Sequence, residues 1–263
     1  MNQALYHRFR YLHYLLTSRH QNGHGIHSPC AYQFIRKYLR PSRCYLAPEI
    51  ETILSQYRKD KKKIFYTTPG EASHYTSKVS ATVASISKHQ GVHKKEANLL
   101  FRLARGWEPK CIVEIGTSVG LSTLCLAAGA PEAEVHTLEG SENKLNVARE
   151  KAHKVGLTNI HFHQGLFDTL LPQLAPSLTS IDMAFIDGNH AYEPTLHYFN
   201  LLLKQRSSKA IFILHDIHWS KHMEKAWEEI KQHPDVTMTF DLFRLGIVLF
   251  RKGLNNQHFT IRF

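Results

Sequence analysis

Apolar residues recur along this chain in two rhythms, and the rhythm changes near residue 110. Before that point the spacing is helical. Leu5, Phe9, Leu12 and Leu16 share one face of a helix predicted over 4–16. His-Gly-Ile-His-Ser-Pro at 24–29 reads as a turn, because Gly25 and Pro29 interrupt regular structure. A second helix is expected over 30–40, ending before Pro41. A third starts near Pro48, a favourable first-turn residue, and runs out in the basic segment 59–63. Residues 64–90 fit no single period, and a helix over about 74–87 is the expectation. Ala97, Leu100, Phe101 and Ala104 line one face of a helix over 94–105, which Trp107-Glu108-Pro109 ends.

From residue 111 short apolar runs alternate with helical stretches. Strands are predicted at 111–116, 134–139, 160–164, 181–187 and 209–215, and helices at 119–128, 142–155, 167–174, 193–205 and 219–232. Strict alternation of this kind builds a parallel sheet with helices on both faces. The last two apolar runs, 236–243 and 246–251, have no helix between them and must form an antiparallel hairpin. The expectation is an α/β fold with a doubly wound, seven-stranded, mostly parallel sheet, a terminal hairpin and a helical N-terminal extension. Two regions follow: 1–105, basic and mostly helical, and 106–263, the sheet domain.

Charge sharpens this division. Residues 1–110 hold 19 of the 33 Lys/Arg and 6 of the 22 Asp/Glu, and the first acid is Glu49. Such a region suits nucleic acid, an anionic lipid surface or an anionic small molecule, or is a solvated face. With 43% apolar residues the chain can fill a core. No run approaches the roughly 18 to 20 apolar residues of a membrane-spanning helix. Arginines and histidines break every early apolar stretch, so no secretory segment is expected. Cys30, Cys44, Cys111 and Cys125 form no C-x-x-C pair and read as reduced, buried thiols, which fits a cytoplasmic protein.

The chemistry gathers at predicted strand ends. Glu114-Ile-Gly-Thr-Ser-Val-Gly120 is a strand, a glycine-bearing turn and a helix start. Such a turn brings backbone close to a ligand, and the helix start offers N–H groups to a carboxylate or phosphate. Its glycine spacing is neither that of the dinucleotide fingerprint nor that of a P-loop. The second strand ends in Glu139, an acid suited to ribose hydroxyls. The third ends in Gln164-Gly165-Leu166, the fourth in Asp187-Gly188-Asn189-His190, and the fifth in His215-Asp216-Ile217-His218-Trp219. Ligands of such sheets bind at the carboxyl ends of the strands.

On these motifs, residues 111–251 resemble class I S-adenosylmethionine-dependent methyltransferases of Rossmann-like fold. Within that group they resemble the catechol and caffeoyl-CoA O-methyltransferase type with an Asp-Gly-x-His motif. The N-terminal part resembles uncharacterised bacterial methyltransferase-like proteins. The resemblance implies that Glu114, Gly116, Thr117, Ser118 and Gly120 line the methionine half of S-adenosyl-L-methionine, with Ser122 on its carboxylate. Glu139 would hold the ribose, Gly165 and Leu166 would lie near the adenine, and Asp187 would face the cofactor amine or a metal. His190 falls where the catechol enzymes carry a lysine base. A histidine of ordinary pKa, about 6.5, can take a hydroxyl proton at neutral pH. Asp187 and Asp216 match two metal carboxylates of that family, which implies a divalent cation such as magnesium. Ile217 replaces the adjacent asparagine ligand, and His215 or His218 would have to substitute.

Three functions are carried forward. The first is O-methylation of a small hydroxylated acceptor, with the N-terminal helices as lid or homodimer surface and His24 and His27 near its mouth. The second keeps the cofactor and makes RNA the acceptor, through the basic region. The third is a methyltransferase-like binding protein without catalysis. The three tryptophans read as packing residues, Trp219 also as a pocket wall. Most of the 19 histidines look scattered.

Overall fold

The computed structural model describes residues 3–18, 23, 25–41, 48–70, 73–251 and 256–263. His24 and Cys44 lie outside them. The chain falls into two compact units, one formed by Met1–Cys44 with Leu178–Phe263, the other by Tyr45–Ser177. Among the described residues no helix is long and apolar enough to cross a membrane.

The first unit opens with α1 (Gln3–Thr17) and α2 (Pro29–Phe34), which a π-helical turn continues to Leu39. Ser28 caps α2 and Pro29 occupies its first turn, where a missing N–H costs nothing. Both helices fall where helical spacing placed them, but α1 is turned. Leu5, Phe9, Leu12 and Leu16 are exposed, while Tyr6 and Tyr14 are buried. The tyrosine hydroxyls decide this. Tyr6 donates to the Glu224 carboxylate, and Tyr14 donates to the Ile261 carbonyl at 2.6 Å. A buried ring whose hydroxyl finds an acceptor combines apolar burial with a satisfied polar tip.

The second unit contains α3 (Pro48–Lys59), then strands β1 (Lys63–Gly70) and β2 (Ser73–Thr82), then α4 (Val83–His89) and α5 (Lys94–Trp107). The helix expected over 74–87 is corrected here. Residues 63–82 form an antiparallel hairpin, Lys63 pairing with Thr82, and helix begins only at Val83. The segment alternates: Ile64 and Tyr66 are buried while Phe65 between them is exposed. A run rich in Ser, Thr, Tyr and Val favours a pleated, half-buried strand. Thr82 ends it by accepting a hydrogen bond from the Ser85 N–H at 3.2 Å as helix cap.

The unit continues as β3 (Cys111–Ile115), α6 (Leu121–Gly129), β4 (Glu134–Glu139), α7 (Glu142–Lys154), β5 (Ile160–Gln164) and α8 (Phe167–Ser177). β3, β4 and β5 run parallel, with Ile115 beside Leu138 and Glu139 beside Gln164. The strand ends carrying Glu114, Glu139 and Gly165 therefore come together.

The first unit resumes with β6 (Ile181–Ile186), α9 (Tyr192–Lys204), β7 (Arg206–His215), α10 (Lys221–Gln232), β8 (Met238–Asp241), β9 (Leu245–Leu249) and β10 (Gln257–Thr260). β6 and β7 are parallel; β9 is antiparallel to both β7 and β8, the expected hairpin. The main sheet has eight strands rather than seven, in the order β10-β8-β9-β7-β6-β3-β4-β5. The added strand, β10, pairs parallel with β8. It has no periodic signature and is held from outside: Phe259 stacks on Phe240 at 5.6 Å, and Tyr14 grips Ile261 beyond it. Phe185, Phe212 and Phe240 are fully buried, each contributing about 1.5–3 kcal/mol of apolar burial.

Candidate cofactor and active site

In the Tyr45–Ser177 unit, a carboxylate fixes each side of the β3–α6 turn. Glu114 is fully buried, and its Oε2 accepts from the hydroxyls of Thr123 and, at 2.6 Å, Thr137. Thr137 Oγ1 in turn lies 2.5 Å from Thr117 Oγ1. Charge-assisted hydrogen bonds of this kind are about twice as strong as neutral ones, so they lock the turn to β4. Across it, Glu139 Oε2 accepts from the Ser118 N–H at 2.8 Å and Oε1 from the Ser141 N–H at 2.9 Å. Each carboxylate oxygen has two lone pairs, so each retains an acceptor position for a hydroxyl.

Three residues of the turn have left-handed backbone: Gly116 at φ 99°, Ser118 at φ 48° and Gly120 at φ 94°. At Gly120 the need for glycine is also steric. A β-carbon there would lie 2.7 Å from Ala148 Cβ and 3.0 Å from its Cα, because α6 and α7 meet at this point. Ser122 is buried in the first turn of α6. The Gly165 N–H donates to the Glu139 carbonyl at 3.0 Å, and Leu166 beyond it is exposed. The sequence reading missed Tyr57. This buried α3 residue donates to the Val119 carbonyl at 2.8 Å, bracing the turn from a helix 62 residues upstream. No local motif links the two positions.

In the other unit a histidine–carboxylate cluster forms at the ends of β6 and β7. Asp187 Oδ1 lies 2.8 Å from His215 Nδ1 and 3.6 Å from His190 Nε2. His215 is buried; His190 is partly exposed, on a loop turned by Asn189 at φ 56°. Arg244 joins from the β8–β9 turn. Its Nε donates to Asp216 Oδ1 at 3.1 Å, and its terminal nitrogen lies 3.3 Å from His215 Nε2. Arginine only donates, so His215 Nε2 accepts, and its Nδ1 carries the proton given to Asp187. Burial pushes the Asp216 carboxyl up, but His215, Arg244 and His190 outweigh it and hold the pKa below the usual aspartate range. Arg244 was not anticipated. The pairing of His215 with Leu245 and the Asp216 N–H donated to the Arg244 carbonyl bring that turn to Asp216.

This arrangement does not suit a magnesium ion. Magnesium demands oxygen ligands in near-octahedral geometry. Here a guanidinium and an imidazole N–H already serve Asp216 and Asp187, and both His215 ring nitrogens are engaged. Ile217 is fully buried in the core. His218, the other substitute, hydrogen-bonds Asp241 at 2.7 Å. Asp187, Asp216 and His215, the residues expected to hold a metal, thus come together as a hydrogen-bonded, ion-paired cluster.

The helical N-terminus reaches this cluster from within the same unit. The His7 ring packs edge-on against Trp219 at 5.9 Å and Phe243 at 5.1 Å. Burial, reinforced by Arg244 and His218, lowers its pKa despite the pull of Asp216. Trp219 is half-exposed whereas Trp227 is buried in the core; His27 is exposed. Cys125 is buried, Cys30 and Cys111 partly so, and all three are free thiols.

Three histidines that looked scattered are gathered on β4 and β5. His136 stacks on His161 at 4.7 Å and on His163 at 5.4 Å. Burial, then the neighbouring imidazoles, lowers the pKa of His136; burial, then His161, lowers that of His163.

A parallel-centred sheet with a terminal antiparallel hairpin is Rossmann-like in architecture, and acids at the ends of β3 and β4 flank its glycine turn. Residues 113–217 match the family model described as "Methyltransferase domain". The chain is similar to the catechol O-methyltransferase of Niastella koreensis, 29% identical over 136 residues, which covers 51% of this chain and 58% of that protein. It also matches the uncharacterized protein y4gI of Sinorhizobium fredii at 28% over 137 residues, covering 48% of this chain and 15% of that one. The matches thus span less than two thirds of either relative. Among solved structures, the fold matches the O-methyltransferase from Bacillus cereus in complex with SAH, with a TM-score of 0.58 at 19% identity, covering 84% of this chain and 97% of that one. It likewise matches the O-methyltransferase TomG from Streptomyces achromogenes in complex with SAM, with a TM-score of 0.59 at 18% identity over 82% and 96%.

Proposed function

We propose that this protein transfers the methyl group of S-adenosyl-L-methionine to an oxygen of a small hydroxylated acceptor. The observation that carries the reading is the fixed β3–α6 turn flanked by Glu114 and Glu139. It offers features this cofactor needs: left-handed backbone at Gly116 and Ser118, with Thr117 between them, beside which the methionine moiety would lie, and lone pairs on Glu139 for two ribose hydroxyls. Ser122 would take the methionine carboxylate, and Gly165 and Leu166 the adenine. Bound there, the sulfonium supplies an electrophilic methyl carbon. The relatives named as O-methyltransferases, and the SAM- and SAH-bound structures of the same fold, agree with this choice.

His190 serves as general base. It is the more exposed of the two histidines that share Asp187, so it alone of the pair can meet an acceptor hydroxyl. Asp187 orients it and stabilises the imidazolium formed when it takes the proton. His215, fixed between Asp187 and Arg244, and Asp216, neutralised by Arg244, hold that carboxylate in place. The transfer then needs no divalent ion, because the Arg244 guanidinium supplies positive charge to the cluster. The basic segment 1–105 selects the acceptor, with His7 and Trp219 at the cluster; the exposed stripe of α1 is the surface on which a homodimer would form. The free thiols fit a cytoplasmic setting.

The test is transfer of a labelled methyl group from S-adenosylmethionine to a panel of phenolic and enolic acceptors, run with EDTA. Methylated product from the parent protein, reduced about 10²-fold in His190→Ala, supports the reading. Equal rates in the two proteins remove His190 as base. Salt-sensitive retention and methylation of RNA would move the acceptor to nucleic acid. Cofactor binding without turnover on any acceptor would leave the binding-protein reading.

A further inference from the structure

The histidines on β4 and β5 are placed as metal ligands are. Glu134 and His136 are two residues apart on β4, so both point to the same face. His161 is in register with His136 on the adjoining strand β5 and shares that face. Phe162, between His161 and His163, faces the other way, under Arg149 of α7 at 5.6 Å. One ligand atom each from Glu134, His136 and His161 lie within 4.8 Å of one another. Ligands about 2.1 Å from a tetrahedral zinc ion sit about 3.4 Å apart. Glu134 and His161 are exposed, so small rotations of their side chains close that difference.

The second observation is the state of His136. The residue is only 8% exposed, and its Nε2 is buried without a hydrogen-bond partner. Its Nδ1 lies 3.1 Å from His163 Nε2. With the proton on Nδ1 donated to His163, Nε2 presents a lone pair toward the Glu134 carboxylate, which is 3.8 Å away and also an acceptor. Two acceptors facing each other are bridged by a proton or by a metal ion, and a metal ion also engages His161. A histidine that ligates through one nitrogen and donates its other N–H to a neighbour is the usual arrangement around a bound metal.

We propose that Glu134, His136 and His161 form a zinc-type transition-metal site, with His163 orienting His136, that clamps the edge strand β5 to β4. Two imidazoles and one carboxylate suit zinc, nickel or copper(II) and disfavour magnesium and calcium, which prefer all-oxygen shells. The site lies toward the amino ends of these strands, at the opposite end of β4 from Glu139. It is therefore separate from the cofactor site and does not depend on the reading given above.

The experiment uses the full chain without a histidine tag, made metal-free, with cobalt(II) and zinc as probes. Parent protein is expected to bind one equivalent with visible d–d absorption and a zinc-dependent rise in melting temperature. His161→Ala and Glu134→Gln change exposed positions and leave folding intact. Each is expected to weaken binding at least 10-fold to 100-fold, the loss that removal of an outer-shell partner already causes, and to abolish the thermal shift. A parent that binds no equivalent above background, or variants that bind and shift as the parent does, would overturn the site and leave the cobalt with other histidines. His136→Ala is read only alongside these two, because its ring is buried.

Discussion

Consider Gly120→Ala. The glycine sits at φ 94° at the start of α6, and a β-carbon there would fall 2.7 Å from Ala148 Cβ and 3.0 Å from Ala148 Cα. A left-handed conformation costs an L-residue about 1–2 kcal/mol. Forcing a methyl group into a closed α6–α7 contact costs about 1–3 kcal/mol more. Together these give about 2–5 kcal/mol, which at about 2–4 °C per kcal/mol lowers the melting temperature by roughly 4–20 °C. The assay is thermal unfolding followed by circular dichroism. Ala148→Gly in the same chain separates the two costs. It removes the 2.7 Å overlap but leaves the backbone strain, so Gly120→Ala is expected to be less harmful in the Ala148→Gly background than in the parent. If Gly120 served only cofactor approach, Gly120→Ala would keep its stability and lose only binding. A melting temperature within about 2 °C of the parent would refute the steric argument.

Other outcomes follow from the same structure. Glu139→Ala removes the acceptor for the Ser118 and Ser141 N–H groups and is expected to weaken cofactor binding at least about 10-fold, by loss of charge-assisted hydrogen bonds; calorimetry measures it. Asp60 is ion-paired with Lys151 at 2.7 Å, and although burial raises its pKa, the hydrogen bond and charge of Lys151 bring it below the usual aspartate value. A depressed carboxyl stabilises the fold above its unfolded pKa of about 3.9 and loses that contribution as pH falls through its folded value. Acid unfolding of Asp60→Asn is therefore expected to show a shallower pH dependence below about pH 4 than the parent. Gly246→Ala would place a β-carbon 2.7 Å from the buried Trp227 ring and 3.0 Å from Ile217, and should destabilise by about 1–3 kcal/mol in urea unfolding. Methyl transfer should be unchanged by EDTA, because Arg244 and the His215 N–H already occupy the carboxylates of the cluster; EDTA-sensitive, magnesium-restored turnover would contradict that assignment.

What could be read from the chain follows the physics of each element. The strands from 111 to 249 were legible because short β-branched and apolar runs alternate with amphipathic helices. The acids Glu114 and Glu139 were legible because they end strands, and strand ends of parallel sheets carry ligands. The β1–β2 hairpin was not, because its polar residues mask the two-residue period. The orientation of α1 was not, because Tyr6 and Tyr14 are buried for their hydroxyl partners rather than for hydrophobicity alone. Arg244, Tyr57 and the β4–β5 histidines escaped for one reason: each joins its partners through strand register or helix docking across 27 to 62 residues, where linear spacing carries no signal.

The central claim is that the fixed turn between Glu114 and Glu139 holds S-adenosylmethionine. Calorimetric titration of the purified chain with S-adenosylmethionine and S-adenosylhomocysteine, each with and without magnesium, tests it directly. The account predicts one site of micromolar affinity for both ligands, indifferent to magnesium. A folded sample that binds neither ligand under any of these conditions would contradict it.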